Sequence, residues 1–361
     1  MRKLASIQKV TATHPIEGRD RIVLADVLGW HVIVRKEDIH AGDLVVYCET
    51  DSILPTTIPG FEDKSAGKRH IRMMKMAGVY SQGICFPLSI LPKGEYHEGD
   101  DVTEKLGVKK YEPDERNGKA KWYHHGNSCR PPKKWWARFR LGRWLWRKFI
   151  YKQAYGKFPT AIVPKTDETR VQVLQDVLQK HKGVMMQATE KIDGSSITFW
   201  LDCRKKLHVS SRNREIYTHE DFMYQAAEKL KDRLMDGYVY QGEIIGPNIQ
   251  GNKYDVKDYR IYAYNMWSES GHCYVDPSEL KTLCGHTGIV TVPYLEQFPL
   301  TDDIDELVEK SKGSSRLNPG TLREGIVIRP LENIQVHDER FVGGRLSFKA
   351  INPDFALKHK L

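Results

Sequence analysis

The chain has 361 residues, 40% of them apolar and eight of them tryptophan, which can build real cores and excludes wholesale disorder. At about 100–200 residues per domain, the length predicts two domains or three. No apolar run reaches the ~18 residues of a membrane span, the N-terminal MRKLASIQKVTATHP lacks the apolar core of a secretory signal, and six cysteines without a C-x-x-C spacing predict reduced thiols, no zinc ribbon and an intracellular setting.

Net charge is +9, from 56 basic and 47 acidic residues, and the excess is local: residues 117–158 hold twelve Lys or Arg and no Asp or Glu. A concentrated positive charge predicts an anionic partner bound at one place.

Residues 1–112 read as β-rich. The runs 6–10, 21–34 and 44–48 are dense in Val, Ile, Leu and aromatics, and HPIEGRD, LGW, HAGD and LPKGEYHEGDD punctuate them. Several short strands between Gly and Pro turns predict a small barrel or sandwich.

Residues 113–162 break that composition and join the two halves. Five of the eight tryptophans stand here. Trp135, Phe139, Gly142, Trp146 and Phe149 share one helical face, and Arg140, Arg143 and Arg147 share another, which predicts an amphipathic helix. Interleaved Lys, Arg and Trp suit a nucleic-acid surface. The same composition suits a helix on a membrane surface or one packing its Trp face on the protein's own core.

From 163 to 361 the pattern predicts helices at 167–181, 218–235, 277–284 and 303–311. Thr218 and Asp221 stand close to a capping box, and Asp276-Pro277 is a helix start. Strand-like runs fall at 184–189, 195–201, 206–211, 238–245, 259–267, 324–329 and 345–350. Without a regular βαβ beat, this half reads as α+β with largely antiparallel sheets.

One stretch here carries chemistry. Lys191-Ile192-Asp193-Gly194 ends a strand-like run, and a lysine before a glycine turn can point into a pocket. An amine is a nucleophile only when deprotonated, which needs desolvation or nearby positive charge. Asp193, two residues on, points the same way if the strand persists and can hold a metal ion near the amine. Glu243 in Gln241-Gly-Glu-Ile-Ile245 and Glu324 in Arg323-Glu-Gly-Ile-Val-Ile-Arg329 lie in runs that should be buried, where a carboxylate needs a partner. Lys349 sits likewise between Phe348 and Ala350. Together these groups can bind a phosphate-bound divalent cation, or form core salt bridges.

The ordered set Lys191-Ile-Asp-Gly194, Ser211-Arg212, Gly242-Glu243, Tyr262-Ala-Tyr264, Glu324-Gly-Ile-Val327 and Lys349 resembles the signature of the covalent nucleotidyltransferases, the polynucleotide ligases and capping enzymes. It spans about 163–352. The Glu190 that precedes the lysine is similar to that of ATP-dependent RNA ligases. Pro164-Lys-Thr-Asp-Glu-Thr-Arg170-Val-Gln172 and Gly246-Pro-Asn-Ile-Gln-Gly251-Asn252 resemble the Deinococcus-type RNA ligases, which carry an N-terminal OB barrel. The implied fold is α+β, an OB-like β-barrel (1–112) followed by a nucleotidyltransferase domain (163–361) of antiparallel sheets with flanking helices. Twelve residues follow Lys349, too few for the C-terminal barrel of a DNA ligase.

The resemblance implies an ATP-dependent RNA ligase that seals 3′-hydroxyl/5′-phosphate breaks through lysyl-AMP and an adenylylated RNA end, with Mg²⁺ or Mn²⁺ as cofactor. The alternatives are an ATP-dependent DNA ligase and a non-catalytic nucleic-acid-binding protein on a ligase fold. The expected partner is RNA, as a nicked duplex or an RNA/DNA hybrid, with no membrane and no obligate protein partner. By the same resemblance Lys191 is the nucleophile, and Asp193, Glu243 and Glu324 surround the metal. Alternatively Glu243 holds the ribose, since the family uses this position both ways; Arg212 contacts the ribose and the end, Tyr264 or its neighbour Tyr262 stacks on adenine and Val327 covers its other face. Arg170 contacts the terminal phosphates or is a helix-surface arginine. Glu190 and Ile192 flank the nucleotide, and Lys349 reaches the α-phosphate. Many RNA ligases end in K-x-K. Here Ser347 replaces the first lysine, so Lys349 acts alone unless Arg345 or Lys358 substitutes.

Overall fold

The computed structural model describes residues 3–56, 58, 61, 70–111, 139, 141, 154–341 and 343–360. Two compact units emerge: Met1–Glu112 with Asp167–Ile192 and Pro293–Leu361, and Pro113–Thr166 with Asp193–Val292. The predicted span 163–361 is therefore shared between the two units. Arg140, Arg143 and Arg147, with the tryptophans of their segment, lie outside the described residues.

The first unit opens with β1 (Ala5–Ile16), β2 (Arg19–Val27), β3 (Trp30–Arg35) and β4 (Leu44–Cys48), followed by the short β5 (Ser52–Ile53), β6 (Met74–Met76), β7 (Val79–Ser81), β8 (Ile84–Pro87) and β9 (Lys109–Lys110). Five form an antiparallel sheet in the order β3-β2-β1-β4-β8. In β3, Trp30, Val32 and Val34 point inward and alternate with more exposed neighbours, as a half-buried strand requires. The sheet curls until β3 meets the chain before β8. Gln82 N–H donates to His31 O at 2.8 Å and Ile33 N–H to Ser81 Oγ at 3.0 Å. This is the expected OB-like barrel.

The same unit holds a second sheet of β10 (Thr169–Arg170), β11 (Met185–Lys191), β18 (Tyr294–Pro299), β19 (Gly325–Pro330) and β20 (Phe348–Ile351). Its order is β10-β20-β19-β11-β18, antiparallel except for β10 beside β20. Its buried face, with Met186, Ala188, Ile326, Ile328 and Phe348, packs on Val171, Leu174 and Leu178. Helices α1 (Gln175–Lys180), α4 (Ile304–Ser311) and α5 (Pro353–His359) accompany it. The helix predicted from 167 is thus only six residues long. Thr169 and Arg170 are drawn into the ladder with Phe348 and Lys349, and sheet pairing overrides the local helical pattern.

The Leu28-Gly29 turn of the first sheet docks against this part. Gly29 N–H donates to Gln172 O at 2.8 Å, and a Cβ on Gly29 would stand 2.5 Å from Ile304 Cδ1 and 3.0 Å from Gln172 Cα. Only glycine lets the two backbones approach so closely.

The second unit is one antiparallel sheet of β12 (Ser195–Leu201), β13 (Leu207–Ser211), β14 (Glu215–Ile216), β15 (Tyr238–Ile245), β16 (Arg260–Ser268) and β17 (Cys273–Tyr274), in the order β14-β13-β12-β15-β16-β17. Helices α2 (Phe222–Glu228) and α3 (Pro277–Thr287) belong to this unit, and Met223, Ala227, Leu280 and Cys284 join Phe199, Val209, Tyr240 and Ile244 in its core. The N-cap of α2 is Asp221, which accepts from Met223 N–H at 2.8 Å, not Thr218. Asp276-Pro277 starts α3 as expected, and Gly288 at φ 69° ends it. Among the described residues no helix is long and apolar enough to cross a membrane. Cys48 and Cys284 are buried, whereas Cys203 and Cys273 are exposed.

Buried charge ties the second sheet of the first unit together. Arg329 on β19 donates through Nε to Ser347 Oγ at 2.9 Å and through Nη2 to Glu168 Oε1 at 2.8 Å. Burial pushes the Glu168 carboxyl up, but Arg329 and Arg345, with Ser347, hold it below the usual carboxylate range. Ser347 therefore stands where a lysine would meet a buried guanidinium, which explains its departure from K-x-K. Arg345, itself 4% exposed, is spent in this network, and Lys358 lies exposed on α5. Replacing Arg329 with Met leaves a buried carboxylate short of a partner and should lower unfolding stability by roughly 3–5 kcal/mol. Removing the exposed Lys182–Asp302 pair, 2.8 Å apart, should cost far less, because solvent screens it. Chemical denaturation of both variants checks the contrast, and equal losses would show that the Arg329 network adds nothing special.

Candidate active site

Strand β11 delivers Lys191. Its register partner on β19 is Gly325, so Glu324, one residue earlier, stands beside the lysine. Lys191 Nζ donates to Glu324 Oε2 at 2.6 Å, with side chains 26% and 12% exposed. Because side chains alternate along a strand, Thr189 and Lys191 on β11 share a face with Val327 on β19 and Lys349 on β20. All four are half-exposed, while Met186, Ala188, Ile326, Ile328, Phe348 and Ala350 on the opposite face are buried. One face of the sheet builds the core, and the other presents two ammonium groups.

Lys349 Nζ lies 3.3 Å from Asp167 Oδ1. Burial pushes the Lys349 ammonium down to about 8; Lys191 and Arg170 push the same way, and Asp167 and Glu324 oppose them. Arg170 is the register neighbour of Lys349 on β10, a strand residue and not a helix-surface one. Its guanidinium donates to Thr50 Oγ1 at 3.0 Å and Asp51 Oδ2 at 3.4 Å, and it lies 5.5 Å from the Trp30 ring centroid. The OB-like barrel thus holds this arginine.

Glu190 points to the buried side. It accepts from Ser315 Oγ at 2.5 Å and Arg316 N–H at 2.7 Å, and burial pushes its carboxyl up. Its evident work is to pin the turn at 315–316. Ile192 is buried beside it in the chain.

In the second unit, β12 starts directly after Lys-x-Asp-Gly. Gly194 N–H donates to Glu243 Oε1 at 3.1 Å. A Cβ on Gly194 would meet Ile244 O at 2.5 Å and Glu243 Cγ at 2.9 Å, so the motif's glycine is a requirement of close approach. Ser196, Glu243 and Tyr262 are register partners across β12, β15 and β16. Tyr264, on the same face, places its hydroxyl 3.1 Å from Ser196 Oγ and 3.0 Å from Thr166 Oγ1. Glu243 is half-buried, not fully buried as the sequence suggested, and Arg212 is exposed in the turn after β13.

The sequence argument for Asp193 rested on a persisting strand. The strand stops at Lys191, and the chain enters the second unit at Asp193. There the Asp193 carboxylate pairs with Lys253, and its N–H donates to Tyr254 Oη at 2.7 Å. Neither partner was foreseen, although both directly follow the 246–252 stretch that sequence comparison singled out.

Among the described residues, no group of three or more His, Cys, Asp or Glu side chains forms a ready-made metal cage. The available donors are carboxylate oxygens, and Asp193, Glu243 and Glu324 are engaged by Lys253, the Gly194 N–H and Lys191 respectively. Oxygen-only donors suit Mg²⁺ or Mn²⁺, and Mg²⁺ commonly keeps several waters and leans on one or two carboxylates plus substrate phosphates. Each of these carboxylates is a donor of the type that a hydrated ion of this kind takes.

The RNA ligase family model matches residues 185–351, and an OB-fold domain model matches residues 4–88. Among curated proteins none matches. Among solved structures, a lysine-to-alanine variant of the Naegleria gruberi RNA ligase with ATP and Mn is 28% identical over 99% of this chain and 99% of that chain, at a TM-score of 0.79. A glutamate-to-alanine variant with AMP and Mn gives 28% identity, the same coverages and a TM-score of 0.78. The same ligase with PPi gives 28% identity over 100% of this chain and 99% of that one, at 0.76. Residues 185–351 thus match an RNA ligase domain behind an OB-fold domain, and over its full length the chain is similar to a solved RNA ligase.

Proposed function

We propose that the chain is an ATP-dependent RNA ligase that joins a 3′-hydroxyl to a 5′-phosphate through lysyl-AMP. The observation that carries this reading is Lys191: a half-exposed amine at the Lys-x-Asp-Gly position, hydrogen-bonded to Glu324 on a face shared with Lys349. The solved relative's complexes with ATP, AMP and PPi name the nucleotide forms such a reaction passes through. The DNA-ligase and non-catalytic alternatives are not favoured.

In the first step the Lys191 amine attacks the α-phosphate of ATP, the bond to the β-phosphate breaks, and pyrophosphate leaves. The lysine must first lose a proton, and Glu324, already its acceptor, is the group placed to take it. Lys349 then supplies positive charge against the phosphate. Lys191 and Asp193 are two residues apart, so at ~3.6 Å per residue the chain itself keeps their backbones within about 7 Å. Asp193, Glu243 and Glu324 would hold a Mg²⁺ or Mn²⁺, which supplies positive charge that stabilises the leaving pyrophosphate. Tyr264 and Val327 would cover the adenine faces, Arg212 the ribose and Arg170 the terminal phosphates, with Glu243 on the ribose in place of the metal as the alternative; Glu190 and Ile192 are buried behind the strand and would support it from there. AMP next passes to the 5′-phosphate end, and the 3′-hydroxyl finally displaces it.

The substrate is read as a nicked duplex, all-RNA or RNA/DNA hybrid. Arg140, Arg143 and Arg147 in the basic 117–158 segment are read as contacts to its phosphates, supported by their charge and spacing.

Intact-protein mass after incubation with ATP and Mg²⁺ tests the reading: the wild type should gain one AMP and lose it on adding pyrophosphate. Lys191→Ala and Lys191→Arg should gain none, because an always-protonated guanidinium cannot attack. An adduct on either variant at the wild-type rate would reassign the nucleophile.

A second outcome follows from Lys349. A base held down to about 8 is charged below that pH and neutral above it. Adduct formation at subsaturating ATP, which reports the free enzyme, should therefore fall as pH rises through about 8. Lys349→Arg keeps its charge and should abolish that descending limb. A wild-type rate that keeps climbing to about pH 10 would remove Lys349's charge from the first step.

A further inference from the structure

We infer that Lys253 is a positioning residue that serves as the resident counter-cation of Asp193 and yields the carboxylate when the divalent ion binds; this rests on the ligase reading above. The segment 246–256 is shaped to grip the Lys-x-Asp-Gly turn. Ile249, Tyr254 and Val256 anchor it as buried side chains. Asn252 bonds Val256 twice, donating to its carbonyl and accepting from its N–H, both at 3.0 Å. Gln250, Asn252 and Asp255 take left-handed backbone at φ 47°, 50° and 51°, beside Gly251 at 72°. Three non-glycine residues in that region within six positions mark a loop whose shape is held by its surroundings.

What the loop presents is specific. Tyr254 Oη accepts the Asp193 N–H at 2.7 Å, Gln250 Nε2 reaches Gly194 O at 3.5 Å, and the Lys253 ammonium pairs with Asp193 Oδ2. The two charged side chains are only 18% and 15% exposed, so the pair is poorly screened. An ammonium and a divalent cation compete for the same carboxylate oxygens, and once both are near they repel. Lys253 therefore holds the Asp193 carboxylate aimed in the metal-free enzyme, and it sets how much ion is needed to displace it.

Direct Mn²⁺ binding separates this role from plain structural support. Free Mn²⁺ is followed by electron paramagnetic resonance while each protein is titrated in the presence of an unreactive α,β-methylene ATP analogue. Lys253→Met should lower the Mn²⁺ concentration for half-saturation about tenfold, equivalent to about 1.4 kcal/mol. Lys253→Arg should stay near the wild type. In an Asp193→Asn background the Lys253→Met change should have no effect, because the shared carboxylate charge is gone. Half-saturation that is unchanged or raised in Lys253→Met, with thermal stability like the wild type, overturns the proposal. A Lys253→Met effect that persists with Asp193→Asn overturns it as well. If Lys253→Met fails to fold, the Arg variant decides: a large shift there counts against a purely charge-based role. The ligase reading fails separately, if the wild type gains no AMP.

Discussion

The contact on which the lysine-bearing face of the first unit turns is the Lys191–Glu324 pair, set 2.6 Å apart by the register of β11 against β19. At an effective dielectric near ~20, such a pair gains about 6 kcal/mol of gross attraction. Desolvating the two ions costs several kcal/mol each in a buried setting. The two terms oppose each other, as they do for any partly buried ion pair.

The surrounding charges are graded in the same way. Lys349 shares the face with Lys191 and is held down by its burial, and the Lys191 and Arg170 charges add to this. Arg170 is in turn fixed by Thr50, Asp51 and Trp30 of the OB-like barrel. The barrel is therefore more than an appended module, because it orders a cation next to the lysine strand. Ser347 belongs to the same logic. With Arg329 and Arg345 already committed to Glu168, a third cation at that position would lack a carboxylate, so the face relies on Lys349 alone.

In the second unit the same economy appears around the motif's aspartate and glycine. Glu243 spends one oxygen on the Gly194 N–H, and the loop after β15 closes on Asp193 through Lys253 and Tyr254. Every carboxylate that the ligase chemistry would use is occupied by a donor of the protein itself. Such groups are held oriented while no ligand is bound, which is how a site avoids leaving buried charge uncompensated.

Much of this was legible in the chain. The runs at 195–201 and 238–245 match β12 and β15 residue for residue, because a short run rich in β-branched and aromatic residues between turn signals reports a buried strand. The ordered motifs picked out Lys191 and Glu324, which the register of β11 against β19 brings together. What the sequence could not supply were the pairings. Arg170 looked helical until β20 recruited it. Strand β18 and helix α5 passed unnoticed, although Asn352-Pro353 is a helix start in plain view. Asp193 lost its expected alternation because the strand ended at Lys191. Lys253, 60 residues further along the chain, became its partner only through a loop with left-handed backbone. Local pattern encodes which face a side chain takes; which charge meets which is decided by strand register and loop closure, and those exist only once the chain has folded.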